Sequence, residues 1–217
     1  MKQIELVIFD CDGVLIDSEV LSLQVWVQLL AARGIYIDSA YFASHFLGRS
    51  MEHVKAKILH DFELEVTDAL TDEFAHELQM IFAKKLTVTP HITALLESLR
   101  VPYVLATSSS PARTEMALST SGLNRYFSKP QIFTASMVAR GKPAPDLFLH
   151  AASCYQTAPS SCLVLEDSAP GLAAAKAAGM HFRHYVGGSH LTHVGQQGED
   201  TLVDWRDFAV QFSEIMK

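Results

Sequence analysis

The residues of this chain most able to do chemistry are Asp10 and Asp12, which end the apolar run Val7-Ile8-Phe9 and are followed at once by Gly13. An apolar, β-rich run reads as a strand buried on both faces of a parallel sheet, and residues i and i+2 of a strand point to the same side. The two carboxylates are therefore expected to face one crevice, about 6.5–7 Å apart at the rise of an extended chain. Like charges so placed repel each other, and either a hard cation between them or a proton on one of them relieves the repulsion. Cys11, between them, points to the opposite face and reads as core rather than as a nucleophile.

Three further stretches carry polar residues where strands or helices begin and end. Val104-Leu105-Ala106 leads into Thr107-Ser108-Ser109-Ser110-Pro111, whose hydroxyls and backbone N–H groups at a helix start suit an anion. Gly141-Lys142-Pro143-Ala144-Pro145-Asp146 sets a lysine between glycine and prolines, and Leu163-Val164-Leu165 ends in Glu166-Asp167-Ser168. In a parallel sheet these ends share one edge. Mg²⁺ takes oxygen ligands, often a few carboxylates plus substrate phosphate, while a lysine and helix-start amides hold the remaining phosphate oxygens. Such a site lets one aspartate attack phosphorus, while its neighbour acts as acid for the departing oxygen and as base for water. Taken singly, each piece has a plainer reading as a turn, a helix cap or a solvated charge. Their order and their common place at strand ends point to chemistry.

These ends need a scaffold that brings them together. From Ser18 to about Lys85 the apolar residues fall at helical spacing. Val20, Leu23, Val27, Leu30 and Ala31 form one stripe that stops at Arg33-Gly34, with Asp17 and Ser18 as N-cap candidates. Further helices are expected near Asp38–Leu47, Met51–Phe62 and Asp68–Lys85. From Pro90 onward helices over 91–99, 111–121, 146–154, 170–178 and 205–216 alternate with strands near 103–106, 132–133, 162–165 and, last, 181–186. Alternation of this kind predicts an α/β fold with a parallel sheet covered on both faces. The expected core is 1–15 and 88–217, interrupted after its first strand by a helical insertion, 16–87. Ligands bind at the carboxyl ends of such sheets, so an insertion standing over them suggests a lid.

With 49% apolar and 19% charged residues the chain is an ordinary globular one, and 217 residues suffice for one domain plus a smaller one. A net charge of −7 excludes a broad basic surface, so nucleic acid is not an expected partner. Cys11, Cys154 and Cys162 lack paired spacing and read as reduced, mostly buried thiols. No apolar run reaches membrane-spanning length and the first residues lack a signal-peptide pattern, so a cytoplasmic protein without a membrane partner is expected. No pattern fixes an oligomeric state, and a monomer is compatible with the sequence. His181, His184, His190 and His193 cross a strand and a Gly-Gly turn with no cysteine among them, and read as surface histidines rather than zinc ligands. Trp26, Tyr41, Phe42 and Phe46 read as helix packing rather than a stacking platform.

Taken together, the residues resemble the haloacid dehalogenase superfamily of phosphotransferases over essentially the whole chain. The family's D-x-D-G-[VT]-[LI]-x-D-[ST] opening is matched by Asp10 through Ser18, its strand ending in Thr or Ser at Thr107, its K-P-x-P-[DE] lysine at Lys142, and its acidic E-D-S-x-x-G segment by Glu166-Asp167-Ser168 with Gly171. The resemblance implies a Rossmann-like core with a helical cap, and a small phosphate ester as substrate. It also implies roles: Asp10 as nucleophile, Asp12 as general acid and base with its backbone carbonyl on Mg²⁺, and Asp167 with Glu166 completing the metal site. Thr107, Ser108 and Lys142 would hold the phosphoryl group. Gly48-Arg49-Ser50 resembles the cap segment whose arginine reads a distal anion in the β-phosphoglucomutase-like subgroup.

An acid at position 12 separates phosphoryl transfer from the dehalogenase and phosphonate-cleaving branches, which lack it. One departure bears on the remaining choice between phosphatase and mutase. Many members carry a histidine five residues after the aspartate equivalent to Asp17, and here that position is Ser22. Without that histidine water is the easier acceptor, and a Mg²⁺-dependent phosphatase acting on a sugar phosphate or sugar-acid phosphate is expected ahead of a β-phosphoglucomutase-like mutase. A receiver-type phospho-acceptor fits less well, because it has no insertion after the first strand. A non-catalytic sugar-phosphate binder conflicts with an intact nucleophile and acid.

Overall fold

The computed structural model describes residues 3–191, 198 and 200–217. The first strand, β1 (Leu6–Phe9), is followed by four helices, α1 (Glu19–Ala31), α2 (Ser39–His45), α3 (Met51–Phe62) and α4 (Asp68–Lys85). The chain then alternates: α5 (Ile92–Ser98), β2 (Tyr103–Thr107), α6 (Pro111–Ser121), β3 (Ile132–Thr134), α7 (Asp146–Cys154), β4 (Cys162–Glu166), α8 (Ala169–Ala177) and β5 (His181–Tyr185). It ends with β6 (Thr201–Leu202) and α9 (Trp205–Gln211). The strands form one sheet of order β3-β2-β1-β4-β5-β6, paired in parallel throughout. This is the expected α/β, Rossmann-like architecture.

Strand alternation builds two buried layers. Leu6 and Ile8 face a cluster with Val104, Val164 and the apolar sides of α7 and α8. Val7 and Phe9 face the opposite cluster with Leu105, Leu165 and residues of α5 and α9. Because β1 is flanked by β2 on one side and β4 on the other, the strand order reverses there, and a crevice opens at its carboxyl end. Asp10 and Asp12 stand at that point.

The four helices after β1 form the expected helical insertion. Asp38, Ser50 and Thr67 accept N-cap hydrogen bonds from Tyr41, His53 and Leu70, which fixes the starts of α2, α3 and α4. In α1 the expected stripe is displaced: Val20 and Val27 are 39% and 36% exposed, whereas Leu21, Ser22, Val25, Trp26, Leu29 and Leu30 are buried. Trp26 draws that face inward by stacking on Phe74 of α4 at 4.4 Å, and it meets Phe46 edge-on. Tyr41 and Phe42 likewise pack against neighbouring rings, as the packing reading expects.

Chain exit and return lie side by side. The Asp17 N–H donates to the Thr87 carbonyl at 2.9 Å, the Thr89 N–H to the Leu15 carbonyl at 3.0 Å, and Ile16 bridges Val88. The Thr89 hydroxyl donates to the Val14 carbonyl at 2.7 Å and accepts from the Trp205 indole at 2.9 Å.

Several boundaries differ from expectation. The sheet gains a sixth strand after β5, too short to show as a run, and α9 ends at Gln211 before a final 3₁₀ turn over Ser213–Ile215. All three cysteines are free, Cys11 and Cys162 buried and Cys154 exposed. Among the described residues no helix is long and apolar enough to cross a membrane.

Candidate active site

The carboxyl ends of β1, β2 and β4 bring most of the expected residues together. Asp10 follows β1 directly, and its Oδ1 accepts from the Lys142 ammonium at 2.5 Å. Lys142, ahead of α7, also donates to the Ala106 carbonyl at 3.0 Å and to Glu166 Oε1 at 2.6 Å. The other Glu166 oxygen accepts from the backbone N–H and hydroxyl of Ser168 at 2.9 and 2.8 Å. Both oxygens of Glu166 are thus engaged within the protein, and the residue acts as the support that aims Lys142 at Asp10. Burial alone would lower the Lys142 pKa, but Asp10 and Glu166 outweigh it and keep the ammonium charged.

Asp12 is held by a different set. Its Oδ1 accepts from the Ser18 hydroxyl at 2.6 Å and from Arg113 at 2.9 Å, and its Oδ2 from the Ser109 hydroxyl at 2.7 Å. Ser18 begins α1 without a side-chain cap bond because its hydroxyl is spent on Asp12, and Asp17 instead accepts from the backbone and hydroxyl of Ser189. These two aspartates titrate in opposite directions. Burial, reinforced by Glu166, Asp167 and Asp12, pushes the Asp10 pKa well above the carboxylate range despite Lys142. Burial would raise Asp12 too, but the Arg113 charge and the hydroxyl hydrogen bonds outweigh it and hold that carboxyl below its ordinary value.

The serine-rich turn closes the third side. The Thr107 hydroxyl accepts from the Ser109 N–H at 3.1 Å, and the Ser108 hydroxyl donates to the Gly48 carbonyl at 3.1 Å, tying the turn to the insertion. Gly48 is needed there: its φ is +67°, and a Cβ would collide with the Ser168 side chain.

A cavity of about 680 Å³ lies between this edge and the insertion. Asp10, Asp12, Thr107 and Ser108 line one wall, and Trp26, Phe42, Phe46, Arg49, Lys55 and His76 line the other. Lys142, Glu166 and Asp167 sit behind the wall. Arg49 faces the cavity and, among the described residues, has no carboxylate partner.

Three functional candidates escaped sequence reasoning. Arg113, on α6, reads as a surface helix charge, yet it binds Asp12 and donates to the Ser22 hydroxyl at 3.1 Å, the position where the resemblance leads one to expect histidine. Glu19 reads as a first-turn acid but is buried on the cavity wall, its pKa raised well above the ordinary value by burial and by Asp12 and Asp167. The third, His190, corrects the surface reading of the histidines: its side chain is 10% exposed and its Nε2 lies 2.8 Å from Asp167 Oδ2. His184 is half-buried on β5, its Nε2 3.0 Å from the Asp167 carbonyl oxygen, and His193 lies outside the described residues. The sequence signal for His190 is the Gly187-Gly188 turn that delivers it.

The donor set fits a divalent cation. Five clustered carboxylates, Asp10, Asp12, Glu19, Glu166 and Asp167, outnumber two basic groups, Lys142 and Arg113, an excess of negative charge that a divalent cation would relieve. Asp167 Oδ2 is buried without a hydrogen-bond partner among the described residues, and burial and Glu166 raise its pKa. Among the described residues no group of three or more His, Cys, Asp or Glu side chains is already arranged to hold a metal ion. Mg²⁺ is commonly held by one or two carboxylates with substrate phosphate and water.

Fold and site together define a doubly wound α/β hydrolase with an acidic strand edge. Residues 4–179 match the family model of haloacid dehalogenase-like hydrolases, and the chain belongs to that family. It is 26% identical over 192 residues to 6-phosphogluconate phosphatase of Escherichia coli K12, covering 88% of this chain and 86% of that protein. It is 31% identical over 179 residues to fructose-1-phosphate phosphatase YqaB of the same organism, covering 80% and 92%. A solved HAD family hydrolase of Deinococcus radiodurans R1, with bound phosphate and sodium, superposes with a TM-score of 0.74 at 28% identity, covering 99% and 97%. The chain is an enzyme, a phosphoric monoester hydrolase of this family.

Proposed function

We propose that the enzyme hydrolyses the phosphate ester of a small sugar or sugar acid through an aspartyl-phosphate on Asp10, with Mg²⁺ as cofactor and residues 16–87 as a cap over a core of 1–15 and 88–217. The observation that carries this reading is the separation of roles between the two aspartates. Asp10 meets the cavity with a lysine at its back, and Asp12, on the same wall, is held by a guanidinium and two hydroxyls.

In this reading the ester's phosphoryl group enters beside Asp10, where Lys142, Thr107 and Ser108 orient its oxygens. Asp10, Asp167 and the Asp12 backbone carbonyl would hold the cation, which would supply positive charge to the phosphoryl oxygens and between the carboxylates. Asp12 protonates the departing oxygen and later takes a proton from the attacking water. In the arrangement seen, Arg113 keeps Asp12 ionised, the state required for the second step; the first step needs Asp12 protonated, which withdrawal from Arg113 favours. Arg49 and Glu19 face the space left for the sugar, one suited to a distal anion and the other to hydroxyls. The substrates named for the 6-phosphogluconate and fructose-1-phosphate phosphatases support a polyhydroxylated substrate.

A screen of phosphorylated metabolites with Mg²⁺, scored for released phosphate and for isomerised sugar phosphate, tests the proposal. Phosphate release from sugar phosphates is expected. Interconversion without release would make the enzyme a mutase, and binding without either would make it a sensor. Serine at position 22 favours release.

A further inference from the structure

Around His190 the chain builds a closed seat for one imidazole. Asp17 anchors the preceding residue, accepting from the Ser189 N–H at 3.1 Å and its hydroxyl at 2.8 Å. Two glycines make room for the ring. A Cβ on Gly188 would stand 2.7 Å from His190 Cε1, and one on Gly13 would stand 2.8 Å from the same atom and collide with Asp167 Oδ2. Within this seat both ring nitrogens of His190 are buried with no hydrogen-bond partner among the described residues. The Nε2 nevertheless lies 2.8 Å from Asp167 Oδ2, an oxygen that also lacks a hydrogen bond. Two buried lone-pair donors thus stand in close contact with neither engaged in a hydrogen bond. Adjacent ligands of an octahedral ion with bonds of about 2.0–2.1 Å stand about 3 Å apart, so the spacing suits two donors on one ion.

We propose that Nε2 of His190 and the carboxylate of Asp167 are adjacent ligands of the divalent cation, so that the centre binds nitrogen-accepting ions such as Mn²⁺ and Co²⁺ more tightly than Mg²⁺. An imidazole adds little for Mg²⁺, which prefers oxygen, whereas Mn²⁺ and, more strongly, Co²⁺ gain from a nitrogen ligand. The inference rests on the cation in the proposed function and goes beyond it in the ligand set.

The full-length protein, stripped with EDTA, is titrated calorimetrically with Mg²⁺, Mn²⁺ and Co²⁺, and the Mn²⁺ form is examined by electron spin-echo envelope modulation for ¹⁴N coupling. The wild type should bind Co²⁺ at least about tenfold more tightly than Mg²⁺ and show ¹⁴N modulation. His190→Ala should lose the modulation and about 10–100-fold of its Co²⁺ affinity, with Mg²⁺ affinity changed less than about threefold. His190→Gln, which keeps a polar side chain, should also lose the modulation, and the wild-type spectrum decides the ligand assignment whether or not either variant folds. Cation binding without ¹⁴N modulation, or an equal loss for Mg²⁺ and Co²⁺ in the variants, would overturn the assignment while leaving the phosphatase reading intact. No binding of any of the three ions would overturn both.

Discussion

The strand edge and the helical insertion face each other across one cavity, yet they are built on opposite principles. At the edge nearly every charged group is engaged: Lys142 with Asp10 and Glu166, Arg113 with Asp12, Glu166 with Ser168. On the insertion side aromatic rings of Trp26, Phe42, Phe46 and Phe74 stand among polar groups such as Glu52, Lys55 and His76, and Arg49 reaches the cavity without a carboxylate partner among the described residues. A preorganised wall fixes the reacting atoms and spends little reorganisation at the moment of reaction. A wall of aromatic rings and scattered polar groups instead sorts ligands by shape and charge. Under the proposed function, reaction type and substrate choice would be carried by different parts of the chain.

Substitutions on the two walls test that division. Asp10→Asn should lower kcat by about 10⁴-fold or more, measured as phosphate release from an aryl phosphate, while the protein stays folded by circular dichroism. Full activity in that variant would remove Asp10 as nucleophile. Arg113→Gln should lower kcat by about tenfold and move the acidic limb of the pH–rate profile upward by about one pH unit, because the neighbouring charge that holds the Asp12 carboxyl low is gone. An unchanged profile would reduce Arg113 to a packing residue.

Across the cavity, Arg49→Ala should raise KM by about tenfold for a substrate with a second anionic group and leave kcat nearly unchanged. A fall in kcat at constant KM would merge the two walls into one machine. The smallest effect concerns stability. Asp10 and Asp167 have raised pKa values in the fold, so the cation-free protein binds more protons than its unfolded chain and loses stability as pH rises from the unfolded carboxylate range toward the folded values. Mg²⁺ at about 100 times its Kd should add about 2.7 kcal/mol, read as a rise in Tm. With the Mg²⁺ concentration fixed at about 100 times the Kd at pH 8, the rise should be smaller at pH 5, where protons compete for the same oxygens. Equal shifts at both pH values would place the cation away from these carboxylates.

The same division governs what the sequence discloses. Asp10, Asp12, Thr107, Lys142, Glu166 and Asp167 are legible because each lies beside a buried apolar run or a turn whose placement follows from parallel-sheet topology. Arg113, Glu19 and His190 are not, since each reaches the site from a helix or turn whose orientation only tertiary packing sets. Helix α1 shows why. Its polar residues Glu19 and Ser22 are buried because they face the site, so a search for apolar periodicity assigns the inner face to Val20 and Val27, which lie outside. A helix that walls an active site departs from the rule that hydrophobic spacing marks the inside.

The paired crossings at Ile16 and Val88 have a consequence for how such an enzyme diversifies. Exit and entry form a single doorway, bolted by Thr89 to Val14 and Trp205. Foreign segments whose two ends meet at the same spacing can be spliced there without stretching the sheet, as insertions between neighbouring chain ends are tolerated elsewhere. Under the proposed function, new selectivity could thus arrive as an interchangeable cassette while Asp10 and Asp12 stay where they are.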